Sequence, residues 1–242
     1  MKNGRQNLLF NNGFNIMKII DAHSHIDYIT HKLQSDVVGS VCCATDESQW
    51  PILVDMMNQD KNIYGAFGVH PWFVSAVSDD FDKHLEQLLN TDSKYMIGEM
   101  GLDKYKPDMD KQIDVFLKQF DLAVKLKRTV FLHCVGTWDK ILHVLKQYKQ
   151  SELPIIVAHA FNANNKILEQ LLCYDNVMFS FGGISGRIDC IEQIPNNRIL
   201  VESDGKSDSD LIKIVRRISD IKNNENMPNI IYKNTQRVIK NG

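Results

Sequence analysis

Two histidines, His23 and His25, close the run Lys18-Ile19-Ile20-Asp21-Ala22 with only Ser24 between them. On an extended strand side chains alternate faces, so the two imidazoles point one way and Ser24 points the other. Two imidazoles on one face of a strand end make a clamp for a divalent cation. The same pair also arises where a strand merely runs out into solvent, so the rest of the chain decides. Six further positions fall late in apolar or β-branched runs: His70, Glu99, His133, His159, Glu202 and Asp204. Of eight histidines, five stand at such run ends, and packing alone does not explain that many. His31, His84 and His143 fall in a loop or in helices and read as ordinary surface or packing residues. Ionisable groups gathered at one mouth repel or desolvate one another unless a cation or substrate organises them. Imidazoles with carboxylates supply mixed N/O ligation that suits Zn or Mn and admits Mg. Glu202 shares the inward face of Asp204 and lies deeper. As a buried acid it needs a partner, either a ligand histidine that it orients or polar groups of the interior. Cys134 follows inward-facing His133 and reads as outward packing.

The elements that must position these residues are eight short runs at 17–25, 37–45, 63–70, 95–102, 129–134, 154–160, 177–183 and 199–204. Helical patterns lie between them at 48–60, 81–90, 110–127, 138–148, 165–173 and 209–223, with a last helix at 230–240 and room for one helical turn in 184–195. Ile113, Phe116, Leu117, Phe120, Ala123 and Val124 form the apolar stripe of the third of these. Strands alternating with helices imply parallel strands and right-handed crossovers, and eight such units close a (β/α)8 TIM barrel. The competing open doubly wound sheet lacks support, because no glycine-rich phosphate loop follows the first strand. Barrel enzymes keep their chemistry at the C-terminal strand ends, where these residues fall.

The chain's 242 residues, 43% hydrophobic and 24% charged, suffice for one such domain, taken as 17–242, with 1–16 as an extension outside the fold. The net charge of −2 carries no global basic bias, so nucleic acid would have to meet a local patch. Five cysteines without C-x-x-C spacing point to free thiols in a reducing, cytoplasmic compartment. No run is long enough to span a membrane, and the N-terminus lacks a signal-peptide pattern.

Taken together, Asp21-Ala22-His23-Ser24-His25-Ile26-Asp27, Gly68-Val69-His70-Pro71, Ile97-Gly98-Glu99-Met100-Gly101-Leu102-Asp103, His133, His159-Ala160-Phe161, Glu202-Ser203-Asp204 and Asn234-Thr235 resemble the TatD family of metal-dependent hydrolases, in order and over nearly the whole chain. The resemblance implies one metal held by His23, His25, Glu99 and Asp204. It implies a second held by Glu99, His133 and His159, with Glu99 bridging and one or two ions (Zn, Mn or Mg) bound. It makes His70 a contact to the substrate's phosphate or leaving group. A carboxylate can bridge two cations through its two oxygens, which agrees with the residues themselves. Asp103 could order its loop instead of taking part in catalysis. The departures lie in substrate-facing loops: Cys134-Val135-Gly136 where Ser-Arg is usual, Asn162-Ala163 where Ser-Gly is usual, and Gly205-Lys206-Ser207-Asp208 where the family runs toward a proline.

The chemistry implied is hydrolysis by an activated water, with Asp204 as proton acceptor and Glu99 beside it. The favoured substrate is a phosphodiester, in DNA or a small phosphorylated compound. Lys104, Lys106, Arg187 and Lys206 can meet phosphates, and Trp72, Phe73 and Trp138 can stack on bases or simply pack their loops. Asp79, Asp80, Asp108, Asp110 and Asp208 dilute the positive field. The rivals are an amide or ester hydrolase on the same binuclear site and a metal-binding protein without turnover. A monomer is sufficient, though the sequence leaves the oligomeric state open.

Overall fold

The computed structural model describes residues 17–27, 35–182, 188–206 and 210–240; 1–16 lie outside the described residues. Among those described are β1 (Ile19–Ser24), β2 (Val37–Cys43), β3 (Ile63–Phe67), β4 (Met96–Asp103), β5 (Val130–Val135), β6 (Ile156–Ala158), β7 (Val177–Phe181) and β8 (Ile199–Val201). They form one sheet in sequence order, each neighbouring pair parallel. The helices are α1 (Gln49–Gln59), α2 (Phe81–Leu89), α3 (Met109–Leu126), α4 (Trp138–Leu145), α5 (Asn165–Leu172), α6 (Leu211–Ile221) and α7 (Met227–Lys240). The sheet curls into a (β/α)8 barrel whose seam joins β8 to β1. There Asp204 N–H donates to His23 O at 3.0 Å.

Two apolar layers hold this arrangement, as burial of both sheet faces requires. Ala22, Val41, Ala66, Phe131, Val157, Met178 and Leu200 fill the barrel, one from each of seven strands, together with Met96 of β4. Val238 of α7 belongs to the same cluster and stoppers the N-terminal end, where its carbonyl accepts from Thr129 Oγ1 at 3.1 Å. The outer layer packs the helices' apolar stripes, such as Phe116 and Phe120 of α3, against the strands' other face. Arg198 ties the end of α5 to the start of β8 by donating to the carbonyls of Leu171, Leu172, Tyr174 and Val177.

Several strands end sooner than their apolar patterns suggest. The run 63–70 leaves the sheet after Phe67, 154–160 after Ala158 and 199–204 after Val201. Beyond these ends the chain stays bonded to its neighbours through the backbone N–H of His70, His159, Glu202 and Asp204, and these tails carry the four side chains. After His70 the chain winds into a 3₁₀ helix over Pro71–Ala76. The last helix starts at Met227, three residues early, because Pro228 in its first turn is compatible with a helix start. A second 3₁₀ helix spans Ile188–Gln193. No helix among the described residues is long and apolar enough to cross a membrane.

Candidate metal centre

The two strands that carry the first donors are both irregular. The β1–β2 register shifts between Asp21 and Ser24, and the β4–β5 register shifts between Ile97 and Met100. Plain alternation would put Ala22 and His23 on opposite faces. The shift lets Ala22 pack inside the barrel while His23 also reaches the axis, and the same holds for Met96 and Glu99. Gly98 and Gly101 flank Glu99 at φ of 142° and 151°. A Cβ on Gly101 would sit 1.8 Å from His133 O, so only glycine lets β4 lie this close to β5.

Glu99, 2% exposed, is the hub. Its Oε2 lies 3.3 Å from His23 Nε2 and 3.6 Å from His25 Nε2. Its Oε1 lies 2.8 Å from His133 Nδ1, 3.4 Å from His159 Nε2 and 3.3 Å from His70 Nε2. Asp204 Oδ1 is 3.6 Å from His25 Nε2, 3.9 Å from His23 Nε2 and 4.0 Å from His159 Nε2. Three overlapping groups therefore stand ready for a cation: His23, His25 and Asp204; His23, Glu99 and His159; His70, Glu99 and His133. The grouping differs from the one the resemblance implies, in that His159 sits with His23, and His133 with His70.

The hydrogen bonds behind the rings set their tautomers. Cys43 O can only accept, so His25 Nδ1 donates to it at 3.3 Å and leaves Nε2 as the nitrogen that faces Glu99 and Asp204. His159 Nδ1 donates to Glu202 Oε1 at 2.9 Å, and the same oxygen accepts the Ala160 N–H at 2.7 Å. His70 is different: its Nδ1 accepts the Trp72 N–H at 3.1 Å, which places the proton on Nε2, facing Glu99 and His133. His70 is thus a donor at the edge of the cluster. The Nε2 atoms of His23 and His133 are buried without a hydrogen bond. Orphaned imidazole nitrogens beside a carboxylate, with neighbouring rings already locked from behind, fit a divalent cation, which takes N and O donors at about 2.0–2.2 Å.

Charge balance points the same way. Burial pushes the Glu99 carboxyl up, but the charges of His159, His23 and His70 and the His133 hydrogen bond outweigh it and hold Glu99 well below the usual carboxylate range. Burial lowers His23, helped by the His159 charge, and burial also lowers His70. At His159, Glu202 and Glu99 outweigh burial and lift the ring to about 10. At Asp204 burial loses to the His25 hydrogen bond and the His159 and His23 charges, so the carboxyl stays far below its ordinary value. One carboxylate ringed by imidazoles is a place where positive charge belongs.

The remaining residues named from the sequence divide. Lys206 Nζ is 2.7 Å from Asp204 Oδ2, so it braces that carboxylate from the solvent side. Lys104 stands at the mouth with its ammonium 4.8 Å from the Tyr105 ring centroid. Arg187 lies outside the described residues. Trp138 is buried against Phe161 and belongs to packing. Asp103 orders its loop by accepting from Tyr105 N at 2.9 Å and Trp72 Nε1 at 2.8 Å, and it also stands 3.7 Å from His133 Nε2. Cys134 is half-buried, with Sγ 3.4 Å from Thr137 Oγ1.

Three positioning residues escape a reading of strand ends. Asp21 accepts from Ser203 N at 2.9 Å, Ser203 Oγ at 2.6 Å and His23 N at 3.2 Å, joining both sides of the seam. Gln119 of α3 brackets Val69, accepting from its N–H at 2.7 Å and donating to its carbonyl at 3.1 Å, which fixes the loop that carries His70. Gln112 accepts from Asp103 N at 2.9 Å and donates to Pro107 O at 2.8 Å. The glutamines had a signal: they stand two turns apart on the helix face that also carries Phe116 and Phe120, where an uncharged polar residue must be satisfied inside.

Residues 20–240 match the family model described as TatD related DNase. A human protein named "3'-5' RNA nuclease TATDN2" is 28% identical over 214 residues, which are 76% of this chain and 28% of that protein's length. The "3'-5' ssDNA/RNA exonuclease TatD" of Erwinia tasmaniensis is 28% identical over 211 residues, 81% of this chain and 79% of that one. The crystal structure of YJJV, a TatD homologue from Escherichia coli, superposes with a TM-score of 0.82 at 22% identity, covering 92% of this chain and 98% of that one.

Proposed function

Because this chain belongs to the TatD related DNase family, a family of metal-dependent hydrolases, we propose that it hydrolyses phosphodiester bonds in nucleic acid. One or two divalent cations (Zn, Mn or Mg) serve the reaction. The observation that carries this reading is the two-sided Glu99 carboxylate, with His23 and His25 on one oxygen and His133 and His159 on the other. His23, His25, Asp204 and Glu99 hold one cation, and Glu99, His133 and His159 hold the second. The names of the human and Erwinia relatives support a nucleic-acid substrate over a small phosphorylated one.

Bound cations supply a water of lowered pKa and offset charge on the phosphoryl oxygens. Asp204, with Oδ1 facing the cluster and Oδ2 braced by Lys206, accepts the proton of the attacking water. His70 points its Nε2–H into the site and donates to the phosphate or the leaving oxygen. Glu202 keeps His159 in the tautomer whose Nε2 faces Glu99. Lys104, Lys206 and Arg187 meet the flanking phosphates. Every donor comes from one chain, so a monomer suffices. The five cysteines are free thiols, which suits the cytoplasm. Residues 17–242 act as one hydrolase domain with 1–16 outside it.

The test assays metal-loaded protein on a single-stranded oligonucleotide, a chromogenic phosphodiester and acyl substrates. Phosphodiester turnover should vanish with chelator and return with Zn, Mn or Mg. Glu99→Ala should lose at least one equivalent of metal. Asp204→Asn should keep most of its metal while kcat falls roughly 10²–10⁴-fold. Acyl turnover without phosphodiester turnover overturns the substrate class, and normal kcat in Asp204→Asn moves the proton elsewhere.

A further inference from the structure

Three of the four large hydrophobic side chains exposed among the described residues crowd one side of the mouth: Trp72 at 53%, Phe73 at 39% and Tyr105 at 75%. They come from two loops, those following β3 and β4, and all three hang on residues of the cluster. Trp72 and Phe73 are one and two residues past Pro71, with ring centroids 5.2 and 6.3 Å from that of His70. The Trp72 indole N–H is anchored on Asp103 Oδ2, and Tyr105 N–H on Asp103 Oδ1. Asp103 is itself fixed by Gln112 and stands 3.7 Å from His133 Nε2. A hydrophobic ring left half in water is costly unless something covers it, and the Trp72 indole is pinned by its N–H instead of folding away. Two ammonium groups lie over them: Lys106 Nζ 4.0 Å from the Trp72 centroid and Lys104 Nζ 4.8 Å from that of Tyr105. Flat rings interleaved with cations next to a phosphodiester-cleaving centre match a strand of unpaired nucleotides, whose bases stack while its phosphates need counter-charge.

Building on the nucleic-acid reading above, we propose that Trp72, flanked by Tyr105, is the ledge on which an unpaired base next to the scissile phosphate stacks. The base takes the indole face that Lys106 covers, and the displaced ammonium moves to a neighbouring phosphate, so one contact is exchanged for two. Asp103 is the positioning residue. By holding the indole N–H it sets the height of the ledge relative to His133, and thereby the distance from stacked base to reacting phosphorus.

The experiment uses metal-loaded full chain and two single-stranded oligonucleotides, one intact and one with abasic residues at the two terminal positions of each end. The readout is the ratio of kcat/KM, intact over abasic. Trp72→Ala should lower that ratio about 5- to 150-fold, while Trp72→Phe, which keeps a ring but loses the bond to Asp103, should fall between wild type and Trp72→Ala. Lys106→Met should flatten the salt dependence of oligonucleotide binding by about one charge. A wild-type ratio near one, an unchanged ratio in Trp72→Ala, or Trp72→Phe failing as badly as Trp72→Ala overturns the ledge and leaves the nuclease reading standing. Wild-type protein that hydrolyses a chromogenic phosphodiester but neither oligonucleotide overturns both.

Discussion

Removing the carboxylate of Asp21 should damage this protein more than removing most of the groups that face the cation. Asp21 is fully buried, and its oxygens accept from Ser203 N, Ser203 Oγ and His23 N. Asp21→Ala removes this acceptor from all three. An unsatisfied buried donor costs about 1–3 kcal/mol. The Ser203 hydroxyl can turn toward another acceptor, and the 3.2 Å bond to His23 N is the weakest of the three. Two full losses are therefore the better count, about 4 kcal/mol, against a total stability of about 5–15 kcal/mol for a folded domain. Asp21→Asn keeps the shape and the oxygen that accepts the two N–H groups. It loses the charge and reverses the Ser203 hydroxyl bond, for about 1–2 kcal/mol. Urea unfolding of chelator-treated protein measures both costs, and metal titration should show weakened binding in the same order, because His23 and Asp204 flank the lost contacts. Asp21→Ala within about 1 kcal/mol of wild type, or Asp21→Asn as damaging as Asp21→Ala, would refute this account of the seam.

Two other predictions follow from side chains behind the site. Glu202→Gln should fold normally yet bind its cation about 10- to 100-fold more weakly in a competitive chelator titration, since an amide orients His159 without strengthening it; unchanged affinity would reduce Glu202 to a space-filling role. Burial pushes the Cys42 and Cys134 thiols up to about 12 and Cys43 well above its usual value, so at pH 8 a disulfide reagent should find a single fast thiol, exposed Cys173, and all five only after unfolding. Rapid reaction of two or more thiols in the native protein contradicts that.

The barrel was legible because parallel strands buried on both faces must be written as unbroken apolar runs, as Ile156-Val157-Ala158 and Val177-Met178-Phe179 are. Strand ends were less so: hydrophobicity continues past the last ladder bond in Gly68-Val69, which the chain uses to reach Gln119. That these side chains would gather in one place was legible from residue type and position. How they are aimed was not. Simple alternation explains His133, two residues after core-facing Phe131, but Ala22 followed by His23 and Met96 followed by Glu99 both need a register shift that no local pattern announces. Trp72 and Trp138 look alike in sequence, yet one is exposed at the mouth and the other packed on Phe161, because that depends on which loop closes over which helix. The bond between Asp21 and Ser203, 182 residues apart, could not be read from either neighbourhood.

That span has a consequence for how the protein comes into being. The cluster takes its opening members from the first strand and Asp204 from just past the last, so no fragment that stops short of the closing turn of the barrel owns a complete set of donors. Contacts of such length are among the last to form, since the chain between them must be ordered before their gain offsets the entropy of closing the loop. A cation that needs both partners therefore cannot be captured early by the nascent chain. Held by both, it would act as a latch on an almost finished ring, its binding energy keeping the two ends of the sheet together.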